Sequence, residues 1–172
     1  MAALLSWTDG TFVTSDSGLS LTPRKWLGCW SRVPRSQVII GVAIGVGGSV
    51  GAVARYMVAQ ALPSPPVSFP WGTLLINLTG SAILGFLLVI VMEQFPRGRL
   101  ARPVLATGII GAYTTFSTFE VETLLLLRSH HFTVAIVYQV TSVVAGIALA
   151  ALGASFARLT IRLEGYLQRT SA

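Results

Sequence analysis

A chain of 172 residues that is 53% hydrophobic and 10% charged, with a mean hydropathy of +0.72, does not have the makeup of a soluble domain, where about a quarter of residues are charged. It reads as an integral membrane protein. The net charge of +6 does not point to nucleic acid, because the arginines gather at the ends of apolar runs and form no basic face interleaved with aromatics. The lone Cys29 excludes an internal disulfide and a cysteine-based metal site.

Residues 1–37 are rich in Ser and Thr, carry Trp7, Trp26 and Trp30, and hold no apolar run long enough to span. The opening MAALLSW lacks the basic start and apolar core of a signal peptide. The segment reads as a mostly disordered extension whose end, from Arg24 to Arg35, lies at the membrane surface. A mis-assigned translation start would give the same pattern.

Four runs then match the roughly 20 apolar residues that a bilayer core requires. They are about 38–62, 72–92, 103–127 and 132–157, followed by a short tail over 161–172. The connectors PSPPVSFP, EQFPRGRLAR and RSHHF are short, so neighbouring helices run antiparallel. Four spans put both termini and the second connector on one side. That side carries ten Lys and Arg, from Arg24 to Arg169, against Arg128 alone on the other. Positive charge stays in the cytoplasm, so both termini are expected inside.

Within the first span, Gly47 and Gly51 form a small-xxx-small pair that lets another helix approach. Arg55 lies inside the run and must snorkel, pair or line water. In the second span, Trp71 fits the interfacial aromatic belt, and Asn77 is a deeper amide that needs partners. It either glues helices together or offers N–H donors to a passing anion, with Thr73 and Thr79 adding hydroxyls nearby.

The third span holds GAYTTFSTFEVE, residues 111–122. Gly and β-branched Thr weaken a helix, and irregular backbone at membrane depth survives only where it is buried or lines water. A break at about 111–115 would free carbonyls able to bind a cation. Phe116 and Phe119, three apart, share a face. Their positive ring edges suit a small anion, with the hydroxyls as further donors; a packed Phe pair with back-bonded hydroxyls is the plainer alternative. Of Glu120 and Glu122, one is expected to pair with Arg55 or Arg128, or to sit at a pore mouth. In the fourth span, Tyr138 and Ser142 share a helical face and either continue an anion track or bond between helices. His130 and His131 sit in a connector and read as solvated. No phosphate-binding glycine loop, catalytic carboxylate pair or metal-ligand spacing marks an enzyme.

GGSVGAVARY (47–56), WGTLLINLTGS (71–81) and GAYTTFSTFEVE (111–122) together resemble the signature motifs of the Fluc/CrcB fluoride channels, across residues 38–160. The resemblance implies an all-α membrane fold of four transmembrane helices, the third one broken, assembled as an antiparallel dimer with two pores. It implies passive, fluoride-selective export across the plasma membrane. Asn77 would bond the ion, Phe116 and Phe119 would present ring edges, and Tyr138, Ser142 and Thr118 would line the path. Backbone carbonyls of Gly111 and Thr114 would hold a structural sodium ion that is not transported. Arg55, Thr73 and Glu122 would support the site. A dual-topology homodimer needs a weak charge bias, and this chain has a strong one, so an oppositely oriented paralogue is the expected partner. A competing class is a small antiparallel-dimer exporter of cations or drugs coupled to protons, for which Glu120 and Glu122 are the available carboxylates. A membrane scaffold without flux leaves the polar run in the third span unexplained.

Overall fold

The computed structural model describes residues 5–8, 11–14, 20–21, 34–65, 67–94 and 100–170. The chain divides into two compact units, Met1–Ile39 and Ile40–Ala172. In the first, strands β1 (Leu5–Thr8), β2 (Thr11–Thr14) and β3 (Ser20–Leu21) pair antiparallel in sequence order, with Leu5 opposite Thr14 and Phe12 opposite Leu21. Regular pairing of these ten residues differs from the expected disordered extension. The reason is legible in the chain: Asp9-Gly10 joins two runs of β-branched and aromatic residues, a pairing that favours two-residue hairpins. The expected surface position of the basic stretch before Pro34 falls on residues outside those described, as do Arg97 and Arg99.

Among the described residues three helices are long and apolar enough to cross a membrane: α1 (Arg35–Ala61), α2 (Trp71–Gln94) and α6 (Phe132–Thr170). Between α2 and α6 the chain runs as α3 (Pro103–Ile110), α4 (Gly111–Tyr113) and α5 (Phe116–Arg128), two arms separated at Thr114 and Thr115. The predicted break is therefore present, at the last two residues of the expected window. Two features differ from expectation. The α3 segment is a π-helix, a wider coil than the α-helix the apolar run predicts. The C-terminal tail is also a continuation of α6, since residues 158–164 include good helix formers and no proline.

Glycines set the helix contacts. A Cβ at Gly85 would run into the Ala150 backbone, and one at Gly153 into Ala82. The two pairings run in opposite chain directions, so α2 and α6 are antiparallel and almost in backbone contact. Gly47 faces Val104, while Gly51 faces the Ile109 carbonyl and Gly108 packs on the Ile44 carbonyl. The small-xxx-small pair of α1 therefore receives α3. The apolar core lies between α2, α5 and α6: Leu74, Phe119, Leu126, Ala135 and Tyr138 are buried together, with Phe69, Leu78 and Val134 packed against them.

The connection from α5 to α6 is closed by backbone bonds. His131 N–H donates to the Leu126 carbonyl at 2.9 Å and His130 N–H to Leu127 at 3.1 Å, with His130 at φ 62°. This is a Schellman cap, which ordinarily takes glycine at the left-handed position. The two histidines are exposed, as expected, yet one of them forms the turn.

Candidate functional site

The break begins with backbone that leaves the helix. Thr114 is extended at φ −73°, ψ 156°, and Thr115 at φ −143°, ψ 117°. Thr115 then caps α5: its hydroxyl oxygen accepts the Thr118 N–H at 3.2 Å, the role that Ser and Thr fill at helix starts. Across from it, Asn77 of α2 bonds one residue at both backbone atoms. Thr115 N–H donates to Asn77 Oδ1 at 2.9 Å, and Asn77 Nδ2 donates to the Thr115 carbonyl at 3.0 Å.

These bonds decide which carbonyls are freed. In a continuous α-helix the Thr115 N–H would serve Gly111 and the Thr118 N–H would serve Thr114. Asn77 and the Thr115 hydroxyl take those donors instead, so the Gly111 and Thr114 carbonyls lose their helical partners. The Thr114 hydroxyl is not free, since it donates back to the Ile110 carbonyl at 3.0 Å. Glycine admits the break to α2: a Cβ at Gly80 would collide with the Thr114 methyl group. Tyr113 is held from the same helix, its hydroxyl 2.9 Å from that of Thr79.

Two clefts flank the break. One, of about 220 Å³, is lined by Asn77, Gly80, Ser81, Leu84, Thr114, Thr115 and Phe116. The other, of about 400 Å³, is lined by Arg55, Tyr56, Thr73, Ile76, Thr115 and Thr118 among others. Thr115 borders both. It is the position at the centre of this geometry that reading from motifs passed over, and its signal was a hydroxyl residue directly before an apolar helical run. Arg55 lies half-buried at the second cleft.

The predicted residues separate by burial. Phe116 is 74% exposed and Phe119 only 7%, with ring centroids 5.8 Å apart. Phe119 also packs on Tyr138 at 5.1 Å, and Tyr138 is wholly buried. The Tyr138 hydroxyl donates to Glu122 Oε2 at 2.8 Å, while the Thr73 hydroxyl donates to Oε1 at 2.8 Å. Both carboxyl oxygens of Glu122 are thus held by hydroxyls from α2 and α6, so of the two placements left open for the glutamates, an arginine pair or a pore mouth, Glu122 does not make the arginine pair; Glu120 is exposed. Thr118 is exposed, and its oxygen accepts the Thr115 hydroxyl at 2.9 Å, leaving its own O–H to donate. Ser142, one turn beyond Tyr138, has a buried hydroxyl with no hydrogen-bond partner among the described residues.

The geometry therefore offers hydroxyl and amide N–H donors, two freed carbonyls and aromatic edges at a non-helical point between long apolar helices. No group of three or more metal-ligating side chains occurs among the described residues. Comparison with known proteins adds to this. Residues 42–154 match the family described as CrcB-like protein, Camphor Resistance (CrcB). The chain is 39% identical over 128 residues to the fluoride-specific ion channel FluC 2 of Nocardia farcinica, covering 74% of this chain and 91% of that protein. It is 40% identical over 117 residues to the fluoride-specific ion channel FluC of Saccharophagus degradans, covering 68% and 88%. With the fluoride-specific ion channel FluC 1 of Moorella thermoacetica it shares 41% over 119 residues, covering 69% and 85%.

Proposed function

The chain belongs to the CrcB family, and on that footing we propose that it is a fluoride-selective passive channel, not an enzyme, through which the ion leaves the cytoplasm. The observation that carries the reading is the Asn77–Thr115 brace, which fixes a helix break and donor groups at a depth where an ordinary helix would offer neither. Relatives named as fluoride-specific channels, alike over most of both chains, favour this over a proton-coupled exporter.

The two arms 103–113 and 116–128 act together as the third of four spans, end to end across the bilayer. The second Nδ2 hydrogen of Asn77, not used by Thr115, points to ion binding by this side chain, with Phe116 and Phe119 supplying ring edges. Thr118 and the unpartnered Ser142 hydroxyl extend the donor path. The Thr73–Glu122–Tyr138 hydrogen bonds hold the Tyr138 ring against Phe119, so these residues shape the path from behind. A dehydrated anion needs such donors to replace its water. The membrane potential, negative inside, drives it outward by about 2.3 kcal/mol per 100 mV.

A dimer completes the site. Phe116, largely exposed on one chain, would face a second subunit in antiparallel orientation, giving two pores. The Gly111 and Thr114 carbonyls, deprived of helical donors, are hard oxygen ligands that fit a sodium ion. When bound, it would supply positive charge to offset the carbonyl dipoles that the break leaves exposed. Arg55 stands at the approach. The strong asymmetry of basic residues favours a chain inserted with both termini cytoplasmic and paired with an oppositely oriented paralogue.

The test is fluoride efflux from liposomes holding this chain alone, read with a fluoride electrode and run beside chloride. Fast fluoride release with little chloride release is expected of a self-assembling channel. If nothing is released, co-reconstitution with a paralogue must restore it, and failure there rejects the channel.

A further inference from the structure

Outside the break, the most strongly charged described feature is the end of α6. Phe132 starts this helix at one membrane face, and at 1.5 Å per residue Arg158 lies about 39 Å along the axis and Arg162 about 45 Å. A bilayer with its headgroups is about 40–45 Å thick. Both arginines therefore reach headgroup depth on the far face. They are four residues apart, hence about 40° apart around the helix, and with Ser155 and Leu159 they line a cleft of about 310 Å³. Neither guanidinium is held by a carboxyl among the described residues. Glu164, the one acidic residue of α6, lies about 160° around the helix from Arg162.

Beside the arginines runs an apolar stripe. Phe156, Leu159 and Leu163 follow at spacings of three and four and are 59%, 51% and 53% exposed. A cationic cleft edged by exposed aliphatic and aromatic groups matches a molecule with a phosphate at one end and hydrocarbon at the other. We propose that Arg158 and Arg162 form a binding site for the phosphate headgroup of an anionic membrane lipid, with an acyl chain lying along Phe156, Leu159 and Leu163. The Ser155 hydroxyl already donates to the Ala151 carbonyl at 2.8 Å, so the donors to the phosphate are the two guanidinium groups. The site is independent of the ion path and fixes the end of α6 at the bilayer surface.

Native mass spectrometry of the purified full chain, titrated with phosphatidylglycerol or phosphatidylcholine, tests this. A basic residue at the surface contributes about fivefold to anionic-lipid affinity, so Arg158→Gln with Arg162→Gln should weaken phosphatidylglycerol binding by about thirtyfold. Phosphatidylcholine binding should not change. Arg128→Gln, at the opposite membrane face, should leave the preference intact, and Arg158→Lys with Arg162→Lys should largely retain it even if the glutamine pair unfolds. Excess inorganic phosphate should not displace the lipid. Four results overturn the proposal: a glutamine pair that binds as wild type, equal weakening by Arg128→Gln, displacement by free phosphate, or no phosphatidylglycerol adduct on wild type, as expected if a protein segment covers the cleft.

Discussion

Asn77 and Thr115 meet through two hydrogen bonds of 2.9 and 3.0 Å, so one side-chain amide satisfies both backbone atoms of a residue that has left its helix. In lipid, unpaired backbone groups are costly. The amide is therefore a structural substitute for a missing turn as well as a candidate ion donor. Asn77→Asp keeps the Oδ1 acceptor but sets an oxygen against the Thr115 carbonyl. Fluoride flux is expected to be lost, with about 1–3 kcal/mol of stability for the unmade bond. Liposome flux and thermal unfolding of the same preparation measure both; wild-type flux would count against any role for Asn77 in the path.

Glu122 is the point where α2, α5 and α6 are tied by side chains. Removing one hydroxyl leaves a half-buried carboxyl oxygen short of a donor, at about 1–3 kcal/mol. Tyr138→Phe and Thr73→Val act on the same carboxyl group, so their effects should not add. A double-mutant cycle by thermal or denaturant unfolding should give a coupling of at least about 0.5 kcal/mol. Strict additivity would show that the two hydroxyls do not share Glu122.

Much of this was legible from residue types alone. The apolar runs located α1, α2 and α6, and the hydroxyls beside Gly111 located the break, because lipid leaves so few reasons for polar residues. What stayed hidden depended on partners distant in the chain. The sequence left open which glutamate pairs and with what, and the bonds of Glu122 come from Thr73, 49 positions before it, and Tyr138, 16 after. Thr115 was one hydroxyl among several until its neighbour Asn77 was in place. The π-helix of α3 has no marker in an apolar run. The strands near the N-terminus were masked by an overall polar composition, despite the Asp9-Gly10 turn signal.

Gly51 offers a contrast within one helix. A methyl group there would strike the Ile109 backbone, whereas Gly41 has open space. Gly51→Ala should force α1 and α3 apart and lower stability by about 1–3 kcal/mol, the usual range for overpacking. Gly41→Ala should be neutral or stabilise by about 0.5–1 kcal/mol through helix propensity. Unfolding midpoints of the two variants in one detergent make the comparison, and equal midpoints would contradict the close approach of α1 to α3.

His130 holds a left-handed conformation, φ 62°, in the cap that joins α5 to α6. A residue with a Cβ is disfavoured there by about 1–2 kcal/mol, and glycine is not. The side chain is exposed and its ring contact is with neighbouring Phe132 at 5.8 Å, so little packing is lost on removing it. Glycine also loses more backbone freedom on folding, which offsets part of the gain. His130→Gly should therefore raise stability by about 0.5–1 kcal/mol and leave fluoride flux unchanged, because the turn lies beyond the core and away from both clefts. His130→Ala keeps the Cβ and should show no gain. Thermal unfolding of the pair separates backbone strain from side-chain loss: if alanine stabilises as much as glycine, the left-handed cap is not the cause.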